Sequence, residues 1–222
     1  HYILASSVMA APGAMILTKI VFPETAEPET RDNIRISKRR TFANVFEAIS
    51  NGASEGMKVA INVTAMILAL VALVAFIDWI LGLGGMFCYK YIPGCSHLAF
   101  LSHLSLKLIL GKIFAIFAII IGVPLKDASI VGALMGTKLV LNEMVAYVGL
   151  THVADIITPK SFMLASFALC SFGNFGSIAI QIGGIGELAP NQKKNLARLG
   201  LRALICGTLS CYLSAAIVGV IL

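Results

Sequence analysis

Three stretches of this sequence carry no charged side chain: Val59 to Ile77, Ser161 to Gly186 and Ala203 to Leu222. They are 19, 26 and 20 residues long, and an α-helix needs about 20 apolar residues to cross a bilayer. Runs of that length read as membrane helices. Composition points the same way. Charged residues make up 13% and hydrophobic residues 58%, whereas a soluble domain carries about 25% charged residues. So little charge cannot wet a soluble surface, and so much apolar surface excludes disorder. The net charge of +6 is not a nucleic-acid footprint, because Lys and Arg sit in short runs between apolar stretches, as in membrane proteins. The fold class read from this pattern is all-α integral membrane.

The remaining segments fit around those three. A first span is expected from about Ile3 to Phe22, kinked at Pro12-Gly13 and ended by Pro23, Glu24 and Pro28. Residues 24–41 are polar and hold Arg31, Arg35, Lys38, Arg39 and Arg40. From Asn44 to Gly56 the pattern is amphipathic, as for a helix lying at the interface. Asp78 and Trp79 mark the far end of the second span, and Gly82, Gly84, Gly85 and Pro93-Gly94 are read as a loop. His97 to Val123 is apolar but interrupted by His103, Lys107 and Lys112, so it either spans or lies on the surface. These readings divide the chain into 1–58, 59–82, 83–126 and 127–222. His1 stands where a reading frame would open on Met, so sequence is expected upstream. The basic loops at 31–58 and 193–202 are assigned to the cytoplasm, which puts the C-terminus outside.

Two segments depart from a plain span. Asp127 to Leu141 and Ala146 to Ile157 are each too short to cross. Fifteen helical residues reach about 22 Å, past the midplane of a core about 30 Å thick. The pair reads as a re-entrant hairpin with Asn142-Glu143 near its tip. Ser161 to Gly186 has Gly173-Asn174-Phe175-Gly176-Ser177 at its centre. Glycine costs about 1 kcal/mol in a helix interior and Asn prefers turns, so this is read as a broken helix.

Chemistry is expected at those two irregularities. A carboxylate inside a membrane segment costs about 2.5–3.5 kcal/mol on insertion scales and persists where it meets a wet cavity or a partner. Glu143 is therefore either a ligand for a polar solute or ion, or half of a structural pair, for instance with Lys138. Asn174 and Ser177 either line a midplane site, as in transporters with broken helices, or act as glue between packed helices. A carboxylate and an amide accept and donate to hydroxyls of a sugar-like solute. No Arg is near in sequence, so an anion site is not suggested. Gly183-Gly184-Ile185-Gly186 lacks the Lys and Ser/Thr of a phosphate loop. Cys88 and Cys95 share a loop, and an oxidising compartment would permit a pair between them without requiring it. With His97 and His103 they fit no standard zinc spacing, so no metal site is assigned. Cys170, Cys206 and Cys211 read as packing residues. No hydrolase set appears, and the chain is not read as an enzyme.

The run Gly136-Thr-Lys138-Leu-Val-Leu-Asn142-Glu143-Met144-Val145-Ala146-Tyr147 resembles the signature of concentrative nucleoside transporters, G-x-K-x-x-x-N-E-F-V-A-Y, with Met144 in place of Phe. The resemblance continues in Met9-Ala-Ala-Pro12-Gly13, in Gly52-Ala53-Ser54-Glu55-Gly56, in Gly173-Asn174-Phe-Gly176-Ser177 and in Gly183-Gly-Ile-Gly-Glu-Leu-Ala-Pro190. It covers nearly the whole chain and corresponds to the C-terminal part of the family's fold. It implies a trimer in the cell membrane (inner or plasma), with a static scaffold and a moving transport domain, importing nucleosides on a sodium or proton gradient. It implies ribose contacts at Glu143, Asn174 and Ser177, with Asn142 and Lys138 in support. Span 59–81 would belong to the scaffold, and hairpin and broken helix to the transport domain. The family's first hairpin, with its nucleobase and cation contacts, is not in this sequence. The expected function is a cation-coupled nucleoside symporter needing no cofactor beyond Na+ or H+. Its expected partners are the nucleoside, the cation, the lipid bilayer and two further copies of itself, not nucleic acid. Uptake of another polar solute such as an amino acid, or a non-transporting membrane interaction subunit, are the alternatives.

Overall fold

The computed structural model describes residues 1–23, 25, 43–91 and 104–221. Within these residues every regular element is helical. Helix α1 is Tyr2–Val21, α2 is Val45–Tyr91, α3 is Leu106–Ile120 and α4 is Leu125–Val140. Helix α5 is Glu143–His152, α6 is Pro159–Leu169, α7 is Phe175–Leu188 and α8 is Lys193–Ile221. Helices α1 and α2, and the segment Pro190–Ile221 that contains α8, are long and apolar enough to cross a membrane.

Helix α1 passes through Pro12 unbroken and stops two residues before Pro23, as the sequence predicts. It packs on α6 and α8 through small and hydroxyl side chains. Ser6 Oγ donates to the Phe167 carbonyl at 3.3 Å, and Ser210 Oγ to the Ala10 carbonyl at 2.7 Å. A Cβ on Gly13 would lie 2.9 Å from Ser210 Oγ, so glycine is what lets the two backbones meet. This is how membrane helices associate where lipid removes the hydrophobic drive.

Helix α2 differs from the sequence expectation. The amphipathic stretch after Asn44, the apolar span and the glycines read as a loop form one unbroken helix of 47 residues, about 70 Å long. A Cβ on Gly82 or Gly84 would touch nothing. Glycine's cost of about 1 kcal/mol is spread over a helix whose flanking Leu81, Leu83 and Met86 favour continuation. Asp78 lies inside this helix and accepts from the Leu106 amide at 2.6 Å, holding the start of α3. Ser105 caps the same end by accepting from the Leu108 amide.

Of the stretch 97–123, the described helix is α3, 15 residues long. At about 22 Å it is shorter than the hydrocarbon core, so it does not span alone. It runs back along α4 at very close range. A Cβ on Gly132 would land on the Ala115 backbone, and one on Gly136 would lie 2.8 Å from the Gly111 amide. The reversal between them is made by Gly122, whose φ is +100°. Pro124 follows two residues later and opens α4 as its N-cap.

Helices α4 and α5 pack on each other with Leu141-Asn142 between them. Leu134 reaches Gly149 across the pair, where a Cβ would lie 2.8 Å from its Cδ2. The second arm ends at His152 rather than Ile157. The open end is tied by Asp127 in the first turn of α4. Its Oδ2 accepts from the Thr158 amide at 3.0 Å, the Thr158 hydroxyl at 2.8 Å and the Ser161 hydroxyl at 2.6 Å. The bonds from Ser161 and then Thr158 hold the Asp127 carboxyl below the usual carboxylate range, against the opposing effect of burial. The broken helix is present, as α6 and α7 separated by residues 170–174. Gly183, Gly184 and Gly186 lie inside α7, which stops at Leu188 ahead of Pro190. Helix α8 begins at Lys193, ten residues before the uncharged run. Ala118, Val131, Met135, Leu150, Leu164 and Cys211 are among the side chains that form the buried core between α3, α4, α5, α6 and α8.

Candidate functional site

Breaking a helix inside a membrane exposes carbonyls at one end and amides at the other. Both ends of the α6–α7 break have partners. On the α7 side, Asn174 is the N-cap. Its Oδ1 accepts from the Ser177 amide at 2.8 Å, and the Ser177 hydroxyl lies 3.3 Å from the Asn174 amide, completing a capping box. The Ser177 hydroxyl also donates to the Asn174 carbonyl at 2.6 Å. On the α6 side the partner comes from α4. Lys138, with no solvent exposure, donates to the Ala168 carbonyl at 3.3 Å and to Ser171 Oγ at 2.5 Å. A cation at a helix C-terminus is also favoured by the helix dipole.

The hairpin tip meets this break. Asn142 caps α5 by accepting from the Val145 amide at 2.9 Å, which fixes Glu143 in the first turn. Asn174 Nδ2 then donates to Glu143 Oε2 at 3.1 Å. Asn174 is buried while Glu143 is half-buried, so the carboxylate faces a partly open space. The Tyr147 hydroxyl donates to the Ser166 carbonyl at 2.8 Å and holds α5 against α6. On the far side of the break lies a cavity of about 200 Å3, lined by Ser171, Phe172, Gly173, Ser177 and Gln181 among others.

Of the sequence-predicted residues, Glu143 and Asn174 are in direct contact. Ser177 is adjacent, with its hydroxyl engaged in the cap. Asn142 and Lys138 act through backbone and break geometry. Lys138 and Glu143 form no direct ion pair, so the pairing considered between them is not what holds either side chain. The positions of Cys95, His97 and His103, and with them the proposed disulfide and zinc questions, lie outside the described residues. Sequence reasoning missed Asp127 as the tie of the hairpin base. The signal was available: Thr158-Pro159-Lys-Ser161 is a helix start with a hydroxyl N-cap, and an acid on a preceding helix is a natural acceptor for it. It also missed Asn62 and Glu187, which bond across α2 and α7 at 3.1 Å.

What this arrangement can do is chemical recognition. A carboxylate whose one oxygen is oriented by an amide leaves the other to accept from paired hydroxyls.

Comparison with known proteins gives one consistent result. The family described as Na+ dependent nucleoside transporter C-terminus matches residues 2–219. The uncharacterized transporter YutK of Bacillus subtilis is 42% identical over 221 residues, covering 99% of this chain and 52% of that protein. The nucleoside permease NupC of Helicobacter pylori is 38% identical over 223 residues, covering 98% of this chain and 50% of that protein. A variant of CNTnw in an outward-facing state matches with a TM-score of 0.81 at 36% identity, covering 98% of this chain and 50% of that one. CNTnw in an inward-facing substrate-bound state matches with a TM-score of 0.69 at 37% identity over the same shares. The chain spans about half the length of these relatives.

Proposed function

The chain belongs to the concentrative nucleoside transporter family, whose C-terminal part it matches, and from that premise we propose that it forms the sugar-recognising half of a cation-coupled nucleoside importer. The observation that carries this reading is the 3.1 Å bond from Asn174 to Glu143. It joins the tip of a folded-back helix pair to the break of a discontinuous helix, the arrangement that marks solute sites in transporters.

In this reading the ribose hydroxyls donate to the free edge of the Glu143 carboxylate. Asn174 orients that carboxylate, and Ser177 keeps the α7 amides in place around it. Asn142 and Lys138 support from the two flanking helix ends. The coupling cation is sodium, in line with the family's description, with a proton as the tested alternative. The protein is a multi-pass protein of the cell membrane and works as a homotrimer. Helix α2 belongs to the static frame. Helices α4 to α8 belong to the moving part, and α4–α5 enters the membrane from one side without crossing it. Nucleoside and cation together favour the closed form, and alternating access follows from that difference in affinity.

The test uses the complete reading frame in liposomes. Labelled uridine uptake is recorded under an inward sodium gradient and then under a proton gradient alone. Uptake under sodium alone is expected. No uptake under either gradient, from folded protein, refutes the nucleoside assignment.

A further inference from the structure

The contact between α2 and α7 has an unusual make-up. On the α7 side it is faced by glycine: a Cβ on Gly183 would sit 3.4 Å from the Asn62 carbonyl and Met66, and one on Gly184 would lie 3.8 Å from Val63. Glycine faces let backbones approach closely, and they leave no side-chain ridge to set one register above another. Against that smooth face stands a single side-chain hydrogen bond between the two helices among the described residues, Asn62 Nδ2 to Glu187 Oε2. The acceptor is itself held. Lys193 Nζ lies 3.6 Å from the same oxygen, and the Lys193 stem lies across Gly186, where a Cβ would come 2.7 Å from its Cγ.

We propose that the Asn62–Glu187 bond sets the register of α7 on α2, and through it the resting position of the substrate-binding end of α7. Phe175 starts the helix at the capped break and Leu188 ends it beside the bond, so a shift at Glu187 is carried along α7 to Asn174. The inference rests on the reading above, in which α2 is static and α7 moves. Asn62 and Glu187 are then positioning residues: neither touches the solute, and both bias where the solute site stands.

The experiment uses the complete reading frame in lipid, with other cysteines replaced and spin labels at Met57→Cys on α2 and Leu188→Cys at the end of α7. Both positions are exposed. The parent is expected to show one dominant separation. A charge-assisted, partly exposed hydrogen bond biases an equilibrium roughly fivefold or more, so Asn62→Leu moves at least that much of the population to a second separation. Glu187→Gln, whose carbonyl still accepts from Asn62 but without the charge and the Lys193 pairing, moves a smaller share than Asn62→Leu. In uptake assays Asn62→Leu changes the external KM roughly fivefold, as the outward-competent fraction changes with the register, while its melting temperature stays with the parent. An unchanged label distribution in Asn62→Leu overturns the proposal, as does a shift seen with Glu187→Gln alone. The label measurement needs no substrate. If the parent takes up no nucleoside, the transport reading fails and the distribution still decides the register.

Discussion

Replacing Glu143 with Gln separates recognition from folding. The substitution keeps the shape of the side chain, and its amide oxygen can still accept from Asn174 Nδ2, the 3.1 Å bond that ties the hairpin tip to the break. What changes is the other edge. A carboxylate oxygen that accepts from sugar hydroxyls becomes an NH2 that only donates, so a hydroxyl there must turn to accept a neutral bond and give up its own donation. Hydrogen bonds to a charged group contribute about 1.5–3 kcal/mol, against about 0.5–1.5 for neutral ones. Weakening one hydroxyl contact and losing a second therefore costs about 3 kcal/mol, or on the order of 100-fold in affinity. The assay is equilibrium binding of uridine to the complete protein, with 2′,3′-dideoxyuridine as comparator and surface delivery measured in parallel. Glu143→Gln is expected to reach the membrane, to melt with the parent, and to bind uridine no better than the parent binds the dideoxy compound. Uridine affinity within threefold of the parent, from protein that reaches the membrane, would falsify the assignment of Glu143 to the ribose.

Asn174→Ala removes both the cap of α7 and the donor to Glu143; losing an N-cap costs about 1 kcal/mol, so a lower melting temperature should accompany lost binding, and Asn174→Ser, which keeps a capping oxygen but has no amide donor, should restore melting in part without restoring affinity. Lys138→Met leaves the Ala168 carbonyl without its side-chain donor and Ser171 Oγ with only the Gly173 amide, an unsatisfied-group penalty of about 1–3 kcal/mol, to be read as a loss of thermal stability that Ser171→Ala reproduces only in part. Gly132→Ala drives a methyl into the Ala115 backbone, where overpacking costs about 1–3 kcal/mol; the variant should be recovered from membranes in much lower yield, and parental yield would show that α3 and α4 are not packed this closely. Asp127 titrates lower in the fold than free because Ser161 and Thr158 bond its charged form. Its stabilisation is thus complete above the free carboxyl value of about 3.9 and is lost as pH falls through the lower folded value. The parent should therefore lose more stability than Asp127→Asn does as pH falls below about 3.9, as measured by melting on either side of that value.

The irregular parts of the fold were more legible than the regular ones. Apolar runs located α1 and α8, and the cluster Gly173-Asn174-Phe175-Gly176-Ser177 located the break, because a helix tolerates neither so much glycine nor an Asn without a cap to make. The extent of α2 was not legible. Gly82, Gly84 and Gly85 carry a local cost, but continuing a helix already formed adds a hydrogen bond per residue, and three glycines near one end of a 47-residue helix do not outweigh that. The pairing of α3 with α4 was hidden for a different reason. Gly111, Gly132 and Gly136 are informative only once two helices are known to cross at them, since a glycine that admits a neighbour and one that merely weakens a helix look alike in sequence.

Lys138 shows how far a local reading goes at the site itself. Lys138 and Glu143 are five residues apart, a spacing that does not put them on one helix face, and from there sequence offers no partner. The partner is a backbone carbonyl thirty residues on, freed because α6 stops at Leu169. The break therefore has two kinds of support. Asn174 and Ser177 lie close together in the chain and close the α7 end locally. The α6 end is closed by a buried cation from the hairpin, so the hairpin cannot move away from the break without leaving the Ala168 carbonyl uncapped. This makes hairpin and break one mechanical unit, and it is why the carboxylate at position 143 arrives beside the amide at position 174 instead of merely near it.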